Sequence, residues 1–195
     1  NTMYSEAVGT RLFVEGGVLS APRRAELKAR LRAGTLEELL FSAVVFRDGP
    51  NANHTRFRVE ELGAFASSFV GVPFLRNHTT GDIGARDGTV VESRMVGHEF
   101  HQTVRLTTER GMRDFLEGVI DRFSIGWYFE AVECSVCGGD WFGCSHWPGQ
   151  WYDNMVCELI FVGPRGKETS AVNAPAVQGT RVIEQLCVLK RGASG

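Results

Sequence analysis

Four side chains of metal-binding type fall within 13 residues of this chain: Cys134, Cys137, Cys144 and His146, spaced C-x2-C-x6-C-x-H. Three thiolates and one imidazole complete the tetrahedral shell that zinc prefers and leave no open position, so this pattern points to a structural zinc site. Gly138, Gly139 and Gly143 allow the tight turns needed to wrap an ion. A bound ion also supplies cohesion to a segment with little apolar core of its own. Cys157 is the second choice for the fourth ligand, ranked behind His146 because 155–162 reads as strand-like. The remaining cysteine, Cys187, reads as a small buried hydrophobe. Clustering around a C-x-x-C core points to metal binding in a reducing compartment inside a cell rather than to a disulfide scaffold. Trp141, Trp147 and Trp151 read as the cover of this segment.

A second chemistry centres on Ser124. The run 123–130 alternates, placing Phe123, Ile125, Trp127 and Phe129 on one face, which must be buried, and Ser124, Gly126 and Tyr128 on the other. A serine on a stiff strand is well placed to act as a nucleophile. The missing side chain at Gly126 leaves room for a substrate backbone to approach. His78 is delivered by the apolar Phe74 and Leu75 to the edge of a turn, a position that suits a general base. His98 and His101 form H-x-x-H, but the run reads as a strand, where residues three apart face opposite ways; they are not joint ligands. The helical H-E-x-x-H motif of zinc proteases is absent. His54, in a polar loop, reads as solvated.

Elements must hold these residues in place. Hydrophobic spacing predicts helices over 22–33, 59–70 and 107–122. The second buries Leu62, Phe65, Ala66 and Phe69 and is stopped by Pro73; the third has a threonine cap and a face of Met112, Phe115, Leu116 and Val119. Strands are expected over 39–46, 89–95, 99–106, 123–130, 158–162 and 168–172. Several short strands with three helices predict an α+β fold, a small closed or partly closed β-barrel surrounded by helices. The whole of 1–195 reads as one domain, with a zinc-binding insert at 133–157 and a loose tail at 190–195.

Composition narrows the function classes. Hydrophobic residues make up 43% and charged residues 23%, which excludes a disordered chain. Lys plus Arg number 21 against 23 Asp plus Glu, a net charge of -2 that lacks the basic footprint of a nucleic-acid binder. No apolar run reaches membrane-spanning length. Residues 1–6 show no signal-peptide pattern, and the chain lacks an initiating Met, so it reads as a processed or trimmed piece.

Three blocks, in order, carry a family resemblance. Phe74-Leu75-Arg76-Asn77-His78 with Asp82-Ile83-Gly84 resembles the "NH…IG" block of tailed-phage prohead serine proteases. Phe123-Ser124-Ile125-Gly126-Trp127 resembles their "SIG-aromatic" block. The run 167–176, with Glu168, Ser170, Val172, Pro175 and Ala176, resembles their "E-x-S-x-V-x-x-P-A" block. Together the blocks cover about residues 40–182. The resemblance implies a fold like that of the herpesvirus capsid-maturation proteases. It also implies a serine endopeptidase housed in the viral procapsid, in the host cytoplasm. Its substrates would be scaffolding protein or the scaffolding segment of the major capsid protein, and the enzyme itself, cut by a Ser-His-acid acyl-enzyme mechanism.

By that resemblance Ser124 is the nucleophile and His78 the general base. Glu168 matches the acidic position, where a carboxylate orients the imidazole and stabilises the imidazolium. The cysteine-rich insert lengthens the separation of Ser124 from Glu168, so His101, Glu158 and Asp82 stand as alternatives. Arg105 and Arg165 are the candidate donors to the tetrahedral oxyanion. A homo-oligomer is left open. The competing reading is a non-catalytic capsid-assembly or scaffold-binding module on the same fold, with the insert and its tryptophans as the partner surface. A zinc hydrolase fits poorly, because the expected metal shell is closed.

Overall fold

Ser20 accepts a hydrogen bond from the Arg23 amide and Pro22 fills the first turn, so the first helix, α1 (Ala21–Arg32), starts where its sequence signals place it. This computed structural model describes the backbone of residues 20–189 and the side chains of 20–183. The expected loose tail at 190–195 and the side chain of Cys187 lie outside the described residues. Helix α1 buries Leu27 and Leu31, and Arg24 donates to the Leu116 carbonyl at 2.7 Å. That carbonyl closes the last turn of another helix, α3 (Glu109–Leu116), so a cation sits where its dipole favours one.

The chain then runs through β1 (Leu36–Arg47), β2 (Thr55–Phe57), α2 (Leu62–Ser67), β3 (Pro73–Arg76), β4 (Gly88–Val96) and β5 (Glu99–Leu106). After α3 come β6 (Phe123–Tyr128), β7 (Ala131–Cys134), β8 (Trp151–Tyr152), β9 (Met155–Val156), β10 (Leu159–Val162), β11 (Arg165–Ala171) and β12 (Arg181–Leu189). Seven strands form one sheet in the order β12-β1-β5-β4-β3-β11-β6, with β11 parallel to β3 and antiparallel to β6. The sheet curls into a half-barrel, bringing Phe41 of β1 onto Phe123 of β6 with ring centroids 5.6 Å apart. Among the described residues no ladder joins β6 to β12 or β1, so the barrel stays partly closed. Few helices accompany it, and among the described residues none is long and apolar enough to cross a membrane.

The core has two aromatic nests. Phe41 stacks on Phe115 at 4.5 Å and meets Phe74 and Phe123, pinning α3 to the sheet. Under α2, Phe65 packs on Phe57, Phe69, Phe100 and Trp127. Rings packed at 4.5–6.5 Å in stacked, tilted and edge-on geometries add specific contacts to plain burial.

Two expected helices are shorter than their apolar spacing suggested. The third ends at Leu116 because Gly118 adopts the left-handed φ of +80° just past the cap, which leaves Val119 64% exposed instead of on the inner face. The second is a 3-10 turn at Val59–Glu61 followed by the six-residue α2. Strand β6 stops at Tyr128, so Phe129, expected to be buried, is 45% exposed. Strands β2, β3, β7 and β12 carry too few alternating residues, or too mixed a pattern, to have been expected.

Candidate functional site

Strand β11 lies between β3 and β6 and alternates its side chains across the sheet. On its core face Thr169 donates to Gln102 at 2.7 Å, and Gln102 donates to Ser93 at 3.2 Å, a buried polar chain that ties β11 to β5 and β4. On the opposite face stand Glu168 and Ser170, 2% and 0% exposed. The ladder sets Ser170 directly across from Ser124 and Glu168 across from Gly126. Residues opposite one another share a face, with Cα atoms roughly 4.5–5.5 Å apart. So Ser124, Gly126, Glu168 and Ser170 form one patch, while Phe123 and Ile125 turn into the core.

His78 reaches this patch from the other neighbour. Just past β3, Asn77 and His78 adopt φ of +45° and +58°, and the Thr79 amide bonds back to the Arg76 carbonyl at 3.0 Å. Two left-handed central residues closed in this way make a type I′ turn, a conformation that costs a non-glycine residue energy and persists only where surroundings enforce it. The enforcement is visible on both sides. Arg76 binds the fully buried Asp87 and also Asp114 at 2.7 Å; Asp87 is held in turn by Thr108 at 2.7 Å and Arg110 at 3.1 Å. Beyond the turn, the His78 amide donates to Ser170 Oγ at 3.1 Å, and Asn77 donates to the Ala171 carbonyl at 2.9 Å.

The imidazole then meets Glu168: His78 Nδ1 lies 2.6 Å from Glu168 Oε1. Ser170 Oγ donates to the other carboxylate oxygen, Oε2, at 2.5 Å. The carboxylate is 2% exposed and the ring 44%, so the acid is shielded while the base keeps an open side. The hydrogen bond to Glu168 raises the His78 pKa above its ordinary value, against partial burial, which works to lower it. With Nδ1 committed to Glu168, Nε2 carries the free lone pair of the neutral ring. Ser124 and His78 both line one cleft, together with Val45, Asn51, Thr55, Trp127 and Val177. Ser124 is half-buried, and among the described residues no hydrogen bond holds its hydroxyl.

Gly126 serves a different purpose from the one its sequence context suggested. A Cβ at this position would sit 2.2 Å from Glu168 Oε1, so the room it leaves is filled by the carboxylate rather than by a substrate backbone. The alternative third members are engaged with other partners. Asp82 caps the Gly84 amide at 2.8 Å, Glu158 pairs with Arg56 at 3.0 Å, and His101 bonds Glu99 at 3.1 Å. Neither arginine lines the cleft: Arg105 faces Glu38 at 3.7 Å, and the Arg165 guanidinium lies over Tyr128 at 5.7 Å. His98 sits in the β4–β5 turn, apart from His101 on β5.

The cysteine segment leaves the fold between two paired strands, with Cys134 of β7 opposite Leu159 of β10. The Gly138 amide bonds the Cys134 carbonyl at 2.8 Å, and φ of +70° at Gly138 closes the C-x-x-C turn. Ligand atoms of Cys134, Cys137, Cys144 and His146 all lie within 4.8 Å of one another. Zn–S bonds of about 2.3 Å and Zn–N bonds of about 2.05 Å give tetrahedron edges of roughly 3.8 Å between sulfurs and 3.6 Å from sulfur to nitrogen. Cys134 Sγ lies 3.5 Å from His146 Nδ1 and 3.8 Å from Cys157 Sγ, so the donor set fits a metal ion such as zinc, and Cys157 stands beside it as a fifth donor. Burial works to raise the Cys134 thiol, but the amides of Cys137 and Val136, with the Cys137 and Cys157 thiols, hold it down to about 6. Burial, together with Cys134, pushes Cys157 up to about 11.

The segment also touches the 51–55 loop that walls the cleft. Sheet β2-β10-β7 places β2 beside β10, and the Leu159 amide bonds the His54 carbonyl at 2.8 Å. His54 is half-buried rather than solvated: its ring lies where a Cβ on Gly149 would be, 2.6 Å from Nε2. Of the three tryptophans, Trp141 packs against the core, Trp147 meets Trp141 edge-on at 6.5 Å but is 64% exposed, and Trp151 is 71% exposed.

No protein-family profile, curated protein or solved structure matches this chain.

Ser170 was missed by sequence reasoning as a member of the site, although it stands two residues from Glu168 and therefore on the same face of any strand holding both.

Proposed function

We propose that this chain is a serine endopeptidase of the prohead type, on a herpesvirus-protease-like half-barrel, with Ser124 as nucleophile, His78 as general base and Glu168 as the acid that orients it. The observation that carries this reading is the 2.6 Å bond from His78 Nδ1 to a buried Glu168, presented to the cleft that Ser124 lines from the neighbouring strand. Support also comes from where the three resembling blocks meet: they become β3 with its turn, β6 and β11, which are adjacent in one sheet. In this mechanism His78 Nε2 takes the proton of Ser124 Oγ as the oxygen attacks the scissile carbonyl, and the imidazolium is stabilised through Nδ1–H by Glu168. The same proton passes to the leaving amine, and water then hydrolyses the acyl-enzyme ester. The hydroxyl of Ser124 meets the ring in the substrate complex, since catalytic hydrogen bonds are often long in free enzymes and tighten on binding.

The cysteine segment is a structural zinc site, held by Cys134, Cys137 and Cys144 with His146 as the fourth ligand. Its closed shell assigns the ion no step in the chemistry. The substrate is scaffolding protein, or the scaffolding segment of the major capsid protein, within a procapsid. Incubation of the purified chain with a proteome-derived peptide library, read by mass spectrometry, tests the reading. New termini made by the wild type and missing with Ser124→Ala are the expected result. The same cuts made by Ser124→Ala would overturn it.

A further inference from the structure

One hydroxyl holds both ends of the base. Ser170 Oγ donates to Glu168 Oε2 at 2.5 Å and accepts from the His78 backbone amide at 3.1 Å, while Glu168 Oε1 receives His78 Nδ1 at 2.6 Å. The four groups close a ring of hydrogen bonds in which Ser170 is completely buried. The carboxylate gains a second donor on the oxygen that the imidazole does not use, which stops rotation of its plane. The amide bond props up a histidine whose φ of +58° is costly for a side chain with a Cβ. Without the hydroxyl, Oε2 and the His78 amide each lose a partner, and leaving a buried polar group unpaired costs about 1–3 kcal/mol.

We propose that Ser170 is a positioning residue of the proposed peptidase site: its hydroxyl ties the Glu168 carboxylate to the His78 backbone, so that the imidazole keeps Nδ1 toward Glu168 and presents Nε2 toward Ser124. This inference rests on the serine-peptidase reading. Ser170 itself is not the nucleophile, because it is 0% exposed and its hydrogen is committed to Glu168. Among the described residues Glu168 is the charged group that faces the His78 ring, so the pH response of that ring reports the geometry of this pair. A displacement of about 1 Å in a catalytic group costs on the order of 100-fold in rate.

The experiment compares wild type with Ser170→Ala by two readouts: the pH profile of fluorophosphonate labelling, and the titration of the His78 ring followed by ¹⁵N NMR. Ser170→Ala is expected to unfold cooperatively, to label roughly 10- to 100-fold more slowly at the plateau, and to show a His78 midpoint displaced toward the ordinary histidine value. A merely structural serine would leave the midpoint where it is. Wild-type rate and midpoint in a folded Ser170→Ala overturn the inference. Should that variant not fold, Ser170→Cys, close in size but a weak donor, replaces it, with a smaller loss expected and wild-type behaviour again decisive against. If the wild type never labels, the peptidase reading fails on its own, and the NMR midpoint still judges whether Ser170 sets the His78–Glu168 pair.

Discussion

Gly126→Ala is a one-carbon change that should disable the site without removing any functional group. The added Cβ would fall 2.2 Å from Glu168 Oε1, 3.0 Å from Cδ and 3.2 Å from Cγ. Ordinary non-bonded contacts lie at about 3.3–4.0 Å, so the carboxylate must retreat by about 1 Å. A retreat of that size is enough to stretch the 2.6 Å bond to His78 to about 3.6 Å, past the limit of a hydrogen bond. Overpacking of this kind costs about 1–3 kcal/mol of stability. Loss of the orienting acid costs up to about 10⁴ in rate where such triads have been dissected. Gly126→Ala should therefore melt somewhat lower, while its second-order rate of fluorophosphonate labelling falls by about 10²- to 10⁴-fold. Gly63→Ala is the control: nothing lies within 4 Å of a Cβ there, and the residue sits in α2. That change should leave labelling alone and raise stability by about 0.5–1 kcal/mol. Labelling of Gly126→Ala at the wild-type rate would refute the geometric reasoning, because it would mean that the carboxylate does not need its place.

The labelling rate should rise with pH along a single-group curve whose midpoint lies above the ordinary histidine value of about 6.5, because the base acts only when neutral; a midpoint below that value contradicts the Glu168 pairing. The raised His78 pKa also has a stability consequence. Its contribution is fully present below about pH 6.5 and is lost as pH rises through the folded-state value. The melting difference between wild type and His78→Gln should thus shrink from pH 5.5 to 8.5, and a gap that widens would reverse the sign. Zinc should be found at about one per chain, and stripping it should alter the near-ultraviolet signal of Trp141 and raise KM more than it lowers kcat, since β10 braces the 51–57 wall of the cleft; an unchanged spectrum after complete removal would dismiss the structural role. Phe65→Ala, which empties the nest under α2, should cost about 3–5 kcal/mol in urea unfolding with little change in the labelling rate of the folded protein.

The parts of the fold that depend on local pattern were readable from the chain. Strands β4 and β5 and helix α1 lie within a residue or two of their expected bounds, and the alternation through β6 placed Ser124 and Gly126 on the face opposite Phe123 and Ile125. The metal donors were readable for the same reason, since all four fall within 13 residues that begin with the C-x-x-C turn. Long-range pairing is not written in local spacing. The bond from His78 to Glu168 spans 90 positions and exists because β11 runs parallel to β3; the resemblance of the three blocks, and not any spacing, named Glu168 as its acid. Gly126 looked like an opening for substrate because its ladder partner, Glu168, was unknown. The short α3 shows a local signal outweighed by another: the apolar period continues to Val119, but the left-handed conformation at Gly118 ends the helix first.

The central claim is that Ser124 and His78 act as one nucleophilic unit. Mass mapping of the covalent adduct after fluorophosphonate treatment tests it most directly. The account predicts a single modified peptide, carrying the label on Ser124, with formation suppressed by at least about 10³-fold in His78→Ala. An adduct on another residue, or one formed on Ser124 at the same rate without His78, would contradict it.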